Sequence, residues 1–151
     1  MRRSDDEIEE VDVRKVLIPV DGSPQSARAV ETMLDFVQYE QIGQVCLLNV
    51  QPDLRPGYRS LSALEIDKLT QQQGERALYD AVRRVEAAGL PFDTRIETGA
   101  PAPTIARVAE EIGADQIFMG SQGHGAIAAF VLGSVAVKTL SLTTLPVTLV
   151  R

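Results

Sequence analysis

The sequence predicts an α/β domain built on an open parallel sheet with helices on both faces. Two observations predict it. Short apolar runs alternate with stretches of helical periodicity, in the order βαβαβαβαβ. The runs Lys15 to Val20 and Gln44 to Val50 are also almost uninterruptedly apolar, the pattern of strands buried on both faces. Right-handed crossovers then lay the intervening helices over the sheet.

Each element has its own reason. Lys15 to Val20 is broken by Asp21-Gly22-Ser23-Pro24, where Ser23 suits a helix N-cap and Pro24 the first helical position. Ala27, Val30, Leu34 and Val37 follow at helical spacing, widened by Met33 and Phe36, and Gly43 is read as the terminator. Gln44 to Val50 is the second strand. The loop Gln51 to Ser60 holds Pro52, Pro56 and Gly57. A long helix is expected from about Ser62 to Ala88, with Leu64, Leu78, Ala81, Val82 and Val85 as core contacts and Gly89 as its stop. Pro91 to Glu97 alternates apolar and polar residues, as a half-exposed edge strand does. Thr104 to Ile112 reads as a short helix ended by Gly113, and Asp115 to Met119 as the fourth strand. After the glycine-punctuated segment Gly120 to Gly133, a helix from Ser134 to Leu142 and a strand from Pro146 to Val150 close the chain.

Composition narrows the function classes. The 151 residues are 44% hydrophobic and 24% charged, enough for one packed domain. No apolar run reaches the ~18–20 residues of a membrane span. The acidic start is unlike a secretory leader, so a cytoplasmic protein is expected. Cys46 is the only cysteine and His124 the only histidine, which argues against a disulfide or a Cys/His metal centre. Residues 1–12 carry six acids and two arginines, so most of the net charge of −6 sits in a terminal tail. The body is nearly neutral without a basic stripe, which argues against nucleic-acid binding. Cys46 lies mid-strand, as a small core residue would.

Ligands of open parallel sheets bind beyond the carboxyl ends of the strands, where the strand order reverses. Here the first strand ends in Asp21-Gly22-Ser23 and the fourth in Gly120-Ser121-Gln122-Gly123-His124-Gly125, while Gly133-Ser134 opens the last helix. Glycines admit close backbone approach, and helix N-terminal N–H groups lack internal partners. Together they can cradle an anion without lysine, and Asp21 suits ribose hydroxyls or a base. A structural tight loop explains the glycines equally well at this point. There is no P-loop, no glycine fingerprint after the first strand and no acidic pair of a phosphoacceptor.

Gly120-x2-Gly123-x9-Gly133-Ser134 resembles the G-x2-G-x9-G-[ST] nucleotide motif of the universal stress protein family. Asp21-Gly22-Ser23, Leu-Leu-Asn-Val, Gly99-Ala-Pro and Ala-Asp-Gln-Ile-Phe-Met-Gly agree, so the likeness runs from Val13 to Arg151. It implies a Rossmann-like sheet of order 3-2-1-4-5 and the ATP-binding branch of the family. It also implies roles for residues. Asp21 contacts adenosine, with Pro19 and Val20 beside it, and the Val50 backbone holds the adenine edge. Met119, Gly120 and Gly123 lie along ribose and phosphates. Gly133, Ser134, Val135 and Ala136 cradle the phosphates, on which Mg²⁺ could ride, and no protein metal ligand stands out.

Many relatives carry arginine or lysine after the second motif glycine, where His124-Gly125 stands here, so less charge faces the phosphates. Leucine stands at Leu145 where relatives often have cysteine, a difference of packing. Lys138 reads as a surface charge, and Arg55 or Arg59 is a candidate for reaching the phosphates. The expected function is an ATP-binding, nucleotide-responsive stress regulator or partner-binding module. No catalytic residue is identified. The alternatives are an ATP-independent interaction protein with an empty glycine loop, or a slow ATPase. Pro146 to Val150 is an apolar strand at a sheet edge in that order, which together with the resemblance implies a homodimer joined there.

Overall fold

The computed structural model describes residues 12–122 and 132–151. The acidic tail before Asp12 lies outside the described residues, as do Gly123 and His124. Five strands, β1 (Arg14–Pro19), β2 (Ile42–Gln51), β3 (Phe92–Thr98), β4 (Gln116–Gly120) and β5 (Val147–Val150), alternate with four helices. These are α1 (Pro24–Glu40), α2 (Ala63–Ala87), α3 (Pro101–Glu111) and α4 (Ser134–Leu142). All strand pairs are parallel and the order is β3-β2-β1-β4-β5, as the resemblance implied.

β1 divides the core. Val16, Ile18 and Val20 join Val30, Met33, Leu78 and Val85 from α1 and α2 in one buried layer. Leu17 joins Ile105, Val108 and Ala109 from α3 and Ala136 from α4 in the other. Successive residues of a strand face opposite ways, so one short apolar run serves both layers.

The caps explain the helix starts. The Ser23 Oγ accepts the Ser26 N–H at 3.2 Å, and Pro24 occupies the first turn of α1. At α2, Ser62 and Glu65 form a reciprocal capping box. Gly89, at φ +71°, follows its end.

Three expectations are corrected. Gly43 does not stop α1: Gln41 does, in the left-handed region at φ 53°. Gly43 instead lies within β2, where the β1 register slips by one residue and a Cβ would stand 2.4 Å from that of Val13. Second, α3 starts at Pro101 rather than Thr104, because Pro101 and Pro103 both sit in a first turn whose N–H groups need no helical partner. Third, Leu64 is 64% exposed and Ile66 takes the core position in its place.

Gly74 is where α2 approaches β3, and a Cβ there would meet Ile96 Cγ2 at 2.6 Å. Helix propensity alone favours alanine by about 1 kcal/mol. Overpacking against a stiff β-branched side chain costs about 1–3 kcal/mol. Gly74→Ala is therefore expected to lower stability in urea unfolding, and to raise it when introduced into Ile96→Ala.

Candidate functional site

The chain leaves β1 through a fixed turn. The Val20 N–H donates to the Leu48 carbonyl at 2.7 Å, and the Val20 carbonyl accepts the Asn49 Nδ2 at 2.8 Å. Asn49 is buried, and its Oδ1 accepts the Gln51 Nε2 at 2.7 Å. A side-chain amide of β2 thus clamps the last peptide before Asp21. Gly22 then takes φ +80°, and the Asp21 Oδ1 accepts the Ser23 N–H at 2.9 Å. This turn leaves the Asp21 carboxylate at the surface, beyond the carboxyl end of the sheet.

The neighbouring strand ends on Gly120, where a Cβ would lie 2.8 Å from that of Gln25 and 3.0 Å from the Gln122 carbonyl. No larger residue fits without displacing α1 or the backbone. Ser121 follows and joins two elements through its own peptide groups. Its N–H donates to the Val150 carbonyl, and its carbonyl accepts the Gly133 N–H, both at 2.7 Å. The start of α4 is thereby held beside the end of β4. The first bond along α4 runs from the Val137 N–H to the Gly133 carbonyl. The N–H groups of Ser134, Val135 and Ala136 thus have no partner within the helix.

Between these ends lies a cavity of about 390 Å³. Pro19, Val20, Asp21, Val50, Met119 and Gly120 line it, as do Gly133, Ser134, Val135 and Ala136. Of the residues expected at a site, only Gly123 cannot be placed, because it lies outside the described residues. Four stretches separated in sequence therefore surround one space.

The cavity extends further than the motif. Leu48, Pro101 and Ile105 complete an apolar wall, while Ser23, Ser26, Ser121 and Gln122 add polar groups. Leu48 could have been found from its spacing, since it stands two residues before Val50 on the same strand face. Ile105 had no such signal, because its position depends on how α3 docks. Among the described residues lining the cavity, Asp21 is the only ionisable side chain. Arg55 and Arg59 are exposed and do not line it, and the Arg55 guanidinium is forked onto Asp53. That hydrogen bonding holds the Asp53 carboxyl below its ordinary value. Lys138 is exposed on α4, away from the wall. Cys46 is in the core, where burial pushes its thiol up to about 11. The described residues contain no group of three potential metal ligands, and none of their helices is long and apolar enough to cross a membrane.

Pro101 and Ile105 belong to a helix that is anchored electrostatically to β3. Arg107 pairs with Glu97 at 3.0 Å and with Glu111 at 2.6 Å, and Arg95 pairs with the same two carboxylates. Burial raises the Glu97 pKa, but the hydrogen bonds from Arg107 and Arg95 outweigh it and leave the group below its ordinary 4.5. Stability from Glu97 is therefore complete above that value and fades as pH falls below it. Glu97→Gln is expected to destabilise the protein in urea at about pH 7, and the deficit should shrink at about pH 3. A deficit independent of pH would remove the ionic explanation.

The model of the universal stress protein family matches residues 12–151. The universal stress protein YxiE of Bacillus subtilis is 30% identical over 146 residues, covering 91% of this chain and 98% of YxiE. Among solved structures, the hypothetical protein MJ0577 superposes with a TM-score of 0.79 at 25% identity, covering 91% of this chain and 94% of that one. The universal stress protein family protein At3g01520 of Arabidopsis thaliana, solved with AMP bound, gives a TM-score of 0.65 at 21% identity, covering 91% and 90%. With a family model spanning almost the whole described fold, the chain belongs to the universal stress protein family.

Proposed function

We propose that this protein binds ATP in the cavity between the ends of β1 and β4 and acts as a nucleotide-responsive regulator or partner-binding module in the cytoplasm. The observation that carries this reading is the convergence of Asp21, Gly120 and the α4 N-terminus on one cavity, a crevice at the strand-order reversal. The base lies against Leu48, Val50, Pro101, Ile105 and Met119, with its edge on the Val50 backbone. Asp21 accepts from the ribose. The phosphates meet the N–H groups of Ser134, Val135 and Ala136 and the Ser134 hydroxyl. Mg²⁺ arrives on the phosphates. AMP in the Arabidopsis relative supports an adenine nucleotide as the ligand class.

Calorimetric titration of nucleotide-stripped protein with ATP and Mg²⁺ tests the reading, and micromolar affinity is expected. Ser134→Asp is the diagnostic variant. A carboxylate in the first turn of α4 improves the helix by about 0.3–1 kcal/mol but repels phosphate. ATP affinity should fall at least about tenfold while the melting temperature is kept. A parent protein that binds no ATP refutes the proposal and leaves an interaction module with an empty glycine loop.

The protein also forms a homodimer through β5. All four β5 residues are partly exposed at a sheet edge, and Val147, Leu149 and Val150 are apolar. Light scattering at tens of micromolar should report twice the 16.4 kDa chain mass. Val147→Lys should halve it without loss of helical circular dichroism. A parent protein of monomer mass would end this part of the proposal.

A further inference from the structure

The β1–β2 ladder stops one rung early beside the cavity. The Leu48 carbonyl accepts the Val20 N–H at 2.7 Å, so Leu48 turns its main-chain groups toward β1. The Gln51 carbonyl accepts the Gly99 N–H at 3.0 Å, so Gln51 turns its own toward β3. Successive residues of a strand alternate in this respect, which directs the N–H and carbonyl of Val50 to the β1 side. The next rung of the parallel ladder would run from the Val50 N–H to the Val20 carbonyl. That rung is not made, and the Val20 carbonyl accepts the Asn49 Nδ2 at 2.8 Å instead. Among the described residues, the Val50 N–H and carbonyl have no hydrogen-bond partner. Val50 is half-buried and lines the cavity.

We propose that Asn49 is a positioning residue of this site: its side-chain donor occupies the Val20 carbonyl and so keeps the Val50 N–H open to the base of a bound nucleotide. This role rests on the nucleotide reading above and adds to it the group that makes the Val50 edge available. Asn49 is 2% exposed, and a buried amide is costly unless it is hydrogen-bonded. Its Oδ1 accepts the Gln51 Nε2 at 2.7 Å, which leaves Nδ2 to face Val20. An apolar residue would carry no such requirement, and the preceding Leu47 and Leu48 are apolar and fully buried. With an apolar residue at position 49, the Val20 carbonyl would take the Val50 N–H, because the two strands are already in register. The sheet would be satisfied equally well, and the base would lose its donor. The open N–H is tolerated at Val50 because water or a ligand can reach it there.

Asn49→Val, a β-branched replacement suited to a strand, provides the test. Two quantities are measured: amide hydrogen exchange at Val50 by NMR in the nucleotide-free protein, and the affinity of nucleotide-stripped protein for ATP with Mg²⁺ by calorimetry. The Val50 amide is expected to exchange at least about tenfold more slowly in the variant, since it gains a partner. ATP affinity should fall at least about threefold, in keeping with the loss of one neutral hydrogen bond. A role in stability alone would not slow exchange at Val50. Asn49→Ala frees the same carbonyl with a smaller side chain, and it carries both measurements should valine overfill the position. Unslowed exchange at Val50, or a smaller loss of affinity, overturns the role of Asn49 and leaves ATP binding by the parent protein intact. A parent protein that binds no ATP overturns both.

Discussion

The central position of β1 is the constraint on which the rest of the structure depends. Val16, Leu17 and Ile18 are fully buried, and their alternation gives each side of the sheet its own apolar layer. Because β2 pairs on one flank and β4 on the other, the chain must move outward in both directions from the same strand. α1 and α2 cover one face, and α3 and α4 the other. The segments leaving β1 and β4 consequently part, and the cavity is the space they leave.

A cavity formed at strand ends needs those ends held firmly. Asn49 does this at the end of β1 by donating to the Val20 carbonyl, and Ser121 does it at the end of β4. The requirement at Gly120 is different in kind. Its missing Cβ keeps Gln25 and the Gln122 carbonyl in place. The α3 wall is held from outside, by the ring of Arg95, Glu97, Arg107 and Glu111. Exposed pairs of this kind are individually weak, yet sharing both carboxylates between both guanidinium groups limits how α3 can slide.

The element order was legible because it depends on local chemistry. Ser23 before Pro24 announces a helix start, and a five-residue apolar run announces a buried strand. What depended on docking was not legible. Gly43 resembles a helix terminator in sequence, but Gln41 takes the left-handed turn and Gly43 is needed where Val13 comes close. Leu64 fits the helical stripe, yet it is exposed and Ile66 is buried in its place. Asn49 could be seen as part of a family pattern, but its bond to Val20 needs the β1–β2 register, in which Pro19 lies opposite Leu48. The strand order itself came from the resemblance, since alternation alone allows several orders.

The two edges of the sheet are treated in opposite ways. β3 presents Asp93, Arg95 and Glu97, charges that oppose pairing with another strand. β5 is only four residues long and carries no charge within Val147–Val150. Its shortness limits misassembly, while its apolar side chains leave it the more receptive edge. Position adds a second consequence. The Val150 carbonyl accepts from Ser121, whose own carbonyl accepts from Gly133 at the start of α4. A single residue, Ser121, therefore connects the open edge of the sheet to the start of α4, which lines the cavity. Whatever fixes β5 in place also fixes the α4 end of the cavity, so edge and cavity are mechanically linked.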